Sequence, residues 1–84
     1  MSIKVNTRGY LQPYAPMEAI EVNGSTVGEC VDHLVRQLPE LRQIIFTKDG
    51  KLISYVFVFV NGEDSYWAQP VQDGDEISIL AGDA

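Results

Sequence analysis

One apolar stripe constrains this chain more than any other feature. Val27, Cys30, Val31, Leu34, Val35 and Leu38 recur at steps of three and four, while Glu29, Asp32, His33, Arg36 and Gln37 fill the opposite side. That pattern is a helix with one buried face. Thr26 and Glu29 have the capping-box spacing, in which the threonine hydroxyl accepts a free first-turn amide and the glutamate reaches back, so the helix starts there. Pro39 ends it, because its ring disfavours helical geometry at Leu38 and it has no amide proton. One amphipathic helix can cover one face of a small sheet, and the rest of the chain must supply that sheet.

The strands read from alternation. Ile3-Lys4-Val5-Asn6 places Ile3 and Val5 inward and Lys4 and Asn6 outward, and Ile20-Glu21-Val22 alternates again before Asn23-Gly24. Residues 2–23 therefore read as a hairpin whose long connection carries Gly9, Pro13, Pro16, Tyr10 and Tyr14. Leu41 to Phe46 is a further helical turn or an irregular apolar segment, closed by Lys48-Asp49-Gly50. The run from Ile53 to Val60 is the most strand-prone of the chain and ends at Asn61-Gly62, so it is expected as a central strand. A right-handed crossover would lead from the hairpin through the helix into it. Asp64 to Val71 reads as a loop bearing Tyr66 and Trp67. Asp73-Gly74-Asp75 reads as a turn into a last strand in which Ile77 and Ile79 alternate with Ser78 and Leu80.

Both faces of the run from Ile53 to Val60 are apolar. If Val56, Val58 and Val60 meet the helix, Tyr55, Phe57 and Phe59 lie outside it together with Leu80. They then form an exposed patch, or they are covered by loop aromatics such as Tyr10, Tyr14 or Trp67.

The bulk properties narrow the function. A chain of 84 residues buries only about 60 to 65% of its unfolded surface, so one domain over residues 1–84 is expected and a large internal active-site cavity is not. Twelve acidic and six basic residues give a net charge of −6, which opposes nucleic acid and favours a protein partner. With one cysteine and no N-terminal signal segment, the chain reads as a cytoplasmic protein without disulfides. No apolar run reaches the roughly 20 residues of a membrane span.

Catalytic constellations are missing from the sequence. Cys30 belongs to the apolar stripe, so it reads as a small buried hydrophobe, and His33 among charged neighbours reads as a solvated surface histidine. Asp73, Asp75 and Glu76 fit a turn better than a calcium loop, whose ligands span twelve positions. Tyr66 and Trp67 read as a loop anchored on the sheet rather than as a ligand platform. No catalytic residue, metal site or cofactor is expected.

Four segments carry a resemblance. Ser25-Thr26-Val27-Gly28-Glu29 opens the helix, Leu38-Pro39-Glu40-Leu41-Arg42 closes it, Val58 to Asp64 contains Asn61-Gly62-Glu63, and Asp73 to Leu80 forms the last strand. In this order and spacing the chain resembles the ubiquitin-like β-grasp domains, and more closely the MoaD/ThiS-type sulfur-carrier proteins. The resemblance implies an α+β fold, a mixed four- to five-stranded sheet covered on one face by one main helix. It also implies a non-enzymatic carrier. In that family an ATP-dependent activating enzyme adenylates the C-terminal carboxylate, which becomes a thiocarboxylate donating sulfur in molybdopterin or thiamine biosynthesis and related pathways.

The family's terminal Gly-Gly, whose lack of side chains suits a narrow tunnel, has no counterpart in Ala81-Gly82-Asp83-Ala84. Two functions compete. In the first, the chain is an adaptor that acts by protein-protein contact through Phe57, Phe59 and Leu80, its partner being an activating enzyme or a cofactor-synthesis enzyme subunit. In the second, it is an active carrier whose tail, Gly82, Asp83 and Ala84, reacts after processing.

Overall fold

The structure, a computed structural model, describes residues 2–9, 11 and 19–82. Its strands are β1 (Ile3–Gly9), β2 (Ala19–Val22), β3 (Val56–Val60), β4 (Glu63–Asp64) and β5 (Glu76–Ala81). The helices are α1 (Val27–Gln37) and the short α2 (Arg42–Ile45), joined by a 3-10 turn at Pro39–Leu41. The sheet order is β2-β1-β5-β3-β4. The pair β1–β5 is parallel and the pairs β1–β2, β3–β4 and β3–β5 are antiparallel, so the sheet is mixed, as expected.

The last strand is the middle of the sheet. Because β5 pairs on both edges, its inward residues Ile77, Ile79 and Ala81 are fully buried. They pack in one cluster with Ile3 and Val5 of β1 and with Val27, Cys30, Val31, Leu34 and Val35 of α1. Burying such side chains contributes about 1.5 to 3 kcal/mol each. This cluster is what joins the helix to the sheet.

Three expectations about the sheet change. The strand predicted from Ile53 begins only at Val56, because residues 53–55 turn back on α2: the Ile53 amide donates to the Ile45 carbonyl at 2.9 Å and the Val56 amide to the Ile53 carbonyl at 2.9 Å. That strand is interior, flanked by β5 and by the two-residue β4, but the middle position of the sheet belongs to β5. Finally, the parallel partner of β1 is β5 and not β3. Pairing of distant segments decides all three, and local propensity carries no information about it.

The turns follow their residue types. Asn61 at φ 51 and Gly62 at φ 83 form a two-residue hairpin loop between Val60 and Glu63, and both left-handed conformations suit Asn-Gly. The Asn61 side chain extends this corner to β5: its Oδ1 accepts the Glu76 amide at 3.0 Å and its Nδ2 donates to Asp75 Oδ1 at 3.2 Å. Asp75 Oδ2 in turn accepts the Gln72 amide at 2.8 Å, and Asp73 Oδ1 accepts the Ser2 amide at 2.7 Å. These acids serve as turn formers that hold the start of β1 beside the start of β5. Among the described residues, no group of three or more His, Cys, Asp or Glu could hold a metal ion, and no helix is long and apolar enough to cross a membrane.

The start of α1 is closed by four separate acceptors. Thr26 is the N-cap and its Oγ1 accepts the Glu29 amide at 3.2 Å. The Val27 amide donates to the Gln69 carbonyl and the Gly28 amide to the Trp67 carbonyl, each at 2.9 Å, and the Cys30 amide donates to the Thr26 carbonyl. Glu29 does reach back, but to the Ser25 amide and hydroxyl at 2.9 Å rather than to Thr26 itself. A helix end whose amides are filled in this way has no donor left for an anion.

Candidate functional site

The outer face of the sheet follows from the strand registers, since paired residues on neighbouring strands point to the same side. One row runs Arg8, Leu80, Phe57 across β1, β5 and β3, and the next runs Ala19, Asn6, Ser78, Phe59, Asp64. The third holds Glu21, Lys4 and Glu76. Phe57, Phe59 and Leu80 are therefore brought together. Phe57 is 50% exposed, whereas Phe59 and Leu80 are half-buried. Arg8 stands on one flank of this apolar centre and Asp64 on the other.

Helix α1 packs on the opposite side of the sheet, against Ile3, Val5, Ile77 and Ile79. The alternation of β3 grouped the two sets in the sequence, the structure decides which of them meets α1, and Tyr55, although in the preceding turn, is exposed as well. Trp67 does not cover these aromatics. It lies on the helix side, edge-on to Phe46 with ring centroids 5.7 Å apart, and its indole fills the space where a side chain on Gly28 would start, with ring carbons 2.8 Å from that position. Two backbone hydrogen bonds from α1 to the loop 67–69 hold it there. Tyr10 and Tyr14, the other expected covers, lie outside the described residues.

The expected carrier tail is described only at its first residue. Ala81 is buried in β5 beside Gly9, and the Gly82 amide donates to the Tyr55 carbonyl at 3.1 Å. The chain thus leaves the sheet next to the row containing Leu80 and Phe57. Asp83 and Ala84 lie outside the described residues.

The single cysteine and histidine take structural places. Cys30 is fully buried, and burial, with a smaller contribution from the Glu29 charge, raises its thiol above the ordinary value, which disfavours the thiolate a nucleophile needs. His33 is a surface side chain, as expected, but it is partly buried, and its Nδ1 accepts the Asn23 amide at 2.7 Å. It closes the connection between β2 and α1. That role depends on a backbone amide ten residues away in the chain, which no residue-type pattern reveals.

The ThiS family sequence model matches residues 7–81. The chain is 34% identical over 62 residues to small archaeal modifier protein 1 of Haloferax volcanii, covering 73% of this chain and 71% of that protein. The crystal structure of that archaeon's SAMP1 superposes with a TM-score of 0.94 at 26% identity, covering 100% of this chain and 98% of the other. The Amycolatopsis orientalis BexX/CysO complex contains a chain with a TM-score of 0.81 at 26% identity, covering 98% and 97%. Fold and sequence agree with these relatives, and the chain belongs to the ThiS family of ubiquitin-like, sulfur-carrier-type proteins.

Proposed function

We propose that this chain works by docking a partner protein on the outer face of its sheet, within sulfur transfer or cofactor assembly in the cytoplasm. The observation that carries this reading is the cross-strand pair of Phe57 and Leu80, with Phe57 50% exposed on the face turned away from α1. A large aromatic on a flat face, beside a second one and a leucine, supplies the apolar centre of an interface. The partner class is an ATP-dependent activating enzyme or a subunit of a cofactor-synthesis enzyme. Support for a protein partner comes also from the net charge of −6 and from the relative that forms a complex with BexX.

A second reading rests on the exit of β5. The Gly82 amide is bound to the Tyr55 carbonyl, so the described chain ends beside the same apolar patch. A docked activating enzyme would then meet the tail and the patch together, and the carboxylate could be adenylated and converted to a thiocarboxylate.

Calorimetric titration of the protein with the adenylating enzyme of its own source tests the first reading. Phe57→Asp is expected to weaken binding at least about tenfold, the scale of an aromatic hot spot, and unchanged affinity overturns docking by this face. Intact mass after incubation with that enzyme, ATP and a sulfur donor tests the second. Replacement of a terminal oxygen by sulfur supports the carrier, and an unchanged terminus under conditions where the enzyme binds excludes it.

A further inference from the structure

We propose that the protein has a second site, on the side of the sheet opposite the Phe57 patch, that takes a small planar aromatic molecule bearing one anionic group. The site is a groove of about 380 Å³ between the start of α1, the segment after α2 and the loop before β5. A volume of this size is that of a small-ligand pocket. Val27, Phe46 and Val58 form its floor and Leu52, Tyr66 and Trp67 its walls.

Exposure marks the groove as unfinished. Trp67 is 42% exposed, Tyr66 63% and Leu52 38%, although all three could have been polar on a loop surface. Val58 shares the inward face with Val56 and Val60, yet it is only half-buried, because the groove opens over it. Large apolar groups held around a concavity, and not scattered, are the mark of a binding site.

The walls are fixed before any ligand arrives. The Trp67 wall is tied to α1 through Val27 to Gln69 and Gly28 to Trp67, and the Ser65 hydroxyl donates to the Val58 carbonyl at 2.7 Å. On the other side the Thr47 amide donates to the Lys51 carbonyl at 2.7 Å, the Lys51 amide to Thr47 Oγ1 at 3.2 Å, and the Ile53 amide to the Ile45 carbonyl. A preformed site spends little on ordering itself when it binds.

The lining also selects the ligand. Phe46 and Trp67 meet edge-on, and Tyr66 stands next to them, an arrangement that accepts a third ring by stacking. Among the described residues, Lys51 is the sole charged one that lines the groove. Its ammonium favours an anionic substituent on that ring over a neutral one at short range, although the net charge of −6 opposes anions at longer range.

The test uses 2-naphthoate and its neutral counterpart 2-naphthamide, titrated into the full chain and followed by amide and indole proton–nitrogen spectra. Saturable shifts are expected at Val27, Lys51, Leu52, Ser65 and the Trp67 indole. The carboxylate should bind about two- to fivefold more tightly than the amide, the range of a partly exposed ion pair. Lys51→Gln, an exposed substitution whose spectrum reports the fold directly, should remove that preference, bringing the carboxylate's affinity to that of the amide. Shifts that do not saturate, that centre on Phe57 and Leu80, or a carboxylate preference that persists in Lys51→Gln would overturn the proposal. Because Phe57 lies on the other face, Phe57→Asp should leave both titrations unchanged, which keeps this test separate from the docking experiment.

Discussion

Single side chains already divide the molecule into parts that hold the fold and parts free to do something else. Glu29 belongs to the first group. The Ser25 amide and, to a smaller degree, its hydroxyl hold the Glu29 carboxyl below its ordinary value of 4.5, against a small opposing desolvation. A carboxylate lowered in the folded state contributes stability that is present above its unfolded value and lost as pH falls through the folded one. Denaturant unfolding of the protein and of Glu29→Gln should therefore differ near neutral pH, and the difference should shrink once the pH drops below 4.5. A gap that stays constant down to full protonation would show that the Ser25 contacts do not depend on the charge. Cys30 was readable as a core residue from its place in the apolar stripe, and its burial agrees. Cys30→Ser should cost about 1 to 3 kcal/mol, because it leaves a hydroxyl in an apolar site, and the native thiol should resist alkylation until the protein unfolds.

At the scale of elements, the junction between α1 and the loop 67–69 shows two local rules in conflict. Gly28 is the second residue of α1, and in a helix alanine is ordinarily better than glycine, by up to about 0.5 to 1 kcal/mol at interior positions. Here a Cβ would enter the space of the Trp67 indole, and overpacking costs about 1 to 3 kcal/mol. Gly28→Ala is expected to lose stability by about 1 kcal/mol net and to shift the emission of the sole tryptophan as the ring is displaced. A stabilised variant with unchanged emission would mean that the ring has room to move. The sequence showed the cap at Thr26 and the stop at Pro39, since both depend on neighbours a few residues away. It did not show that Trp67 packs on the helix, since that contact joins positions 28 and 67 and Trp67 looks the same beside either face of the sheet.

For the molecule as a whole, the sheet has a closed face and an open one. Ile79 and Phe57 lie on adjoining strands with opposite orientation, Ile79 fully buried and Phe57 half exposed. Ile79→Ala should cost about 2 to 5 kcal/mol of unfolding free energy. Phe57→Asp should cost no more than about 1 kcal/mol, the span of strand propensity, while weakening partner binding as described above. Measuring both by denaturant titration separates an exposed interface residue from a core one. A large loss for Phe57→Asp would mean that the ring supports the fold, and the docking reading would then lose its basis. The groove beside Trp67 lies on the other side of β3 from Phe57.

Alternation, helical spacing and turn chemistry by themselves determined the hairpin, the helix with its cap and stop, the Asn61-Gly62 corner, and that Phe57, Phe59 and Leu80 share one face, though not which face meets the helix. These are properties of neighbours in the chain, written in periods of 2 and 3.6 residues. Tertiary structure alone decided that β5 is the middle strand, that the run from Ile53 to Val60 pairs only from Val56, that His33 binds the Asn23 amide, and that Trp67 and Tyr66 wall a groove. Each of these depends on which distant segment offers a hydrogen-bond edge or an apolar surface, and that choice is made by the packing of the whole chain around one core.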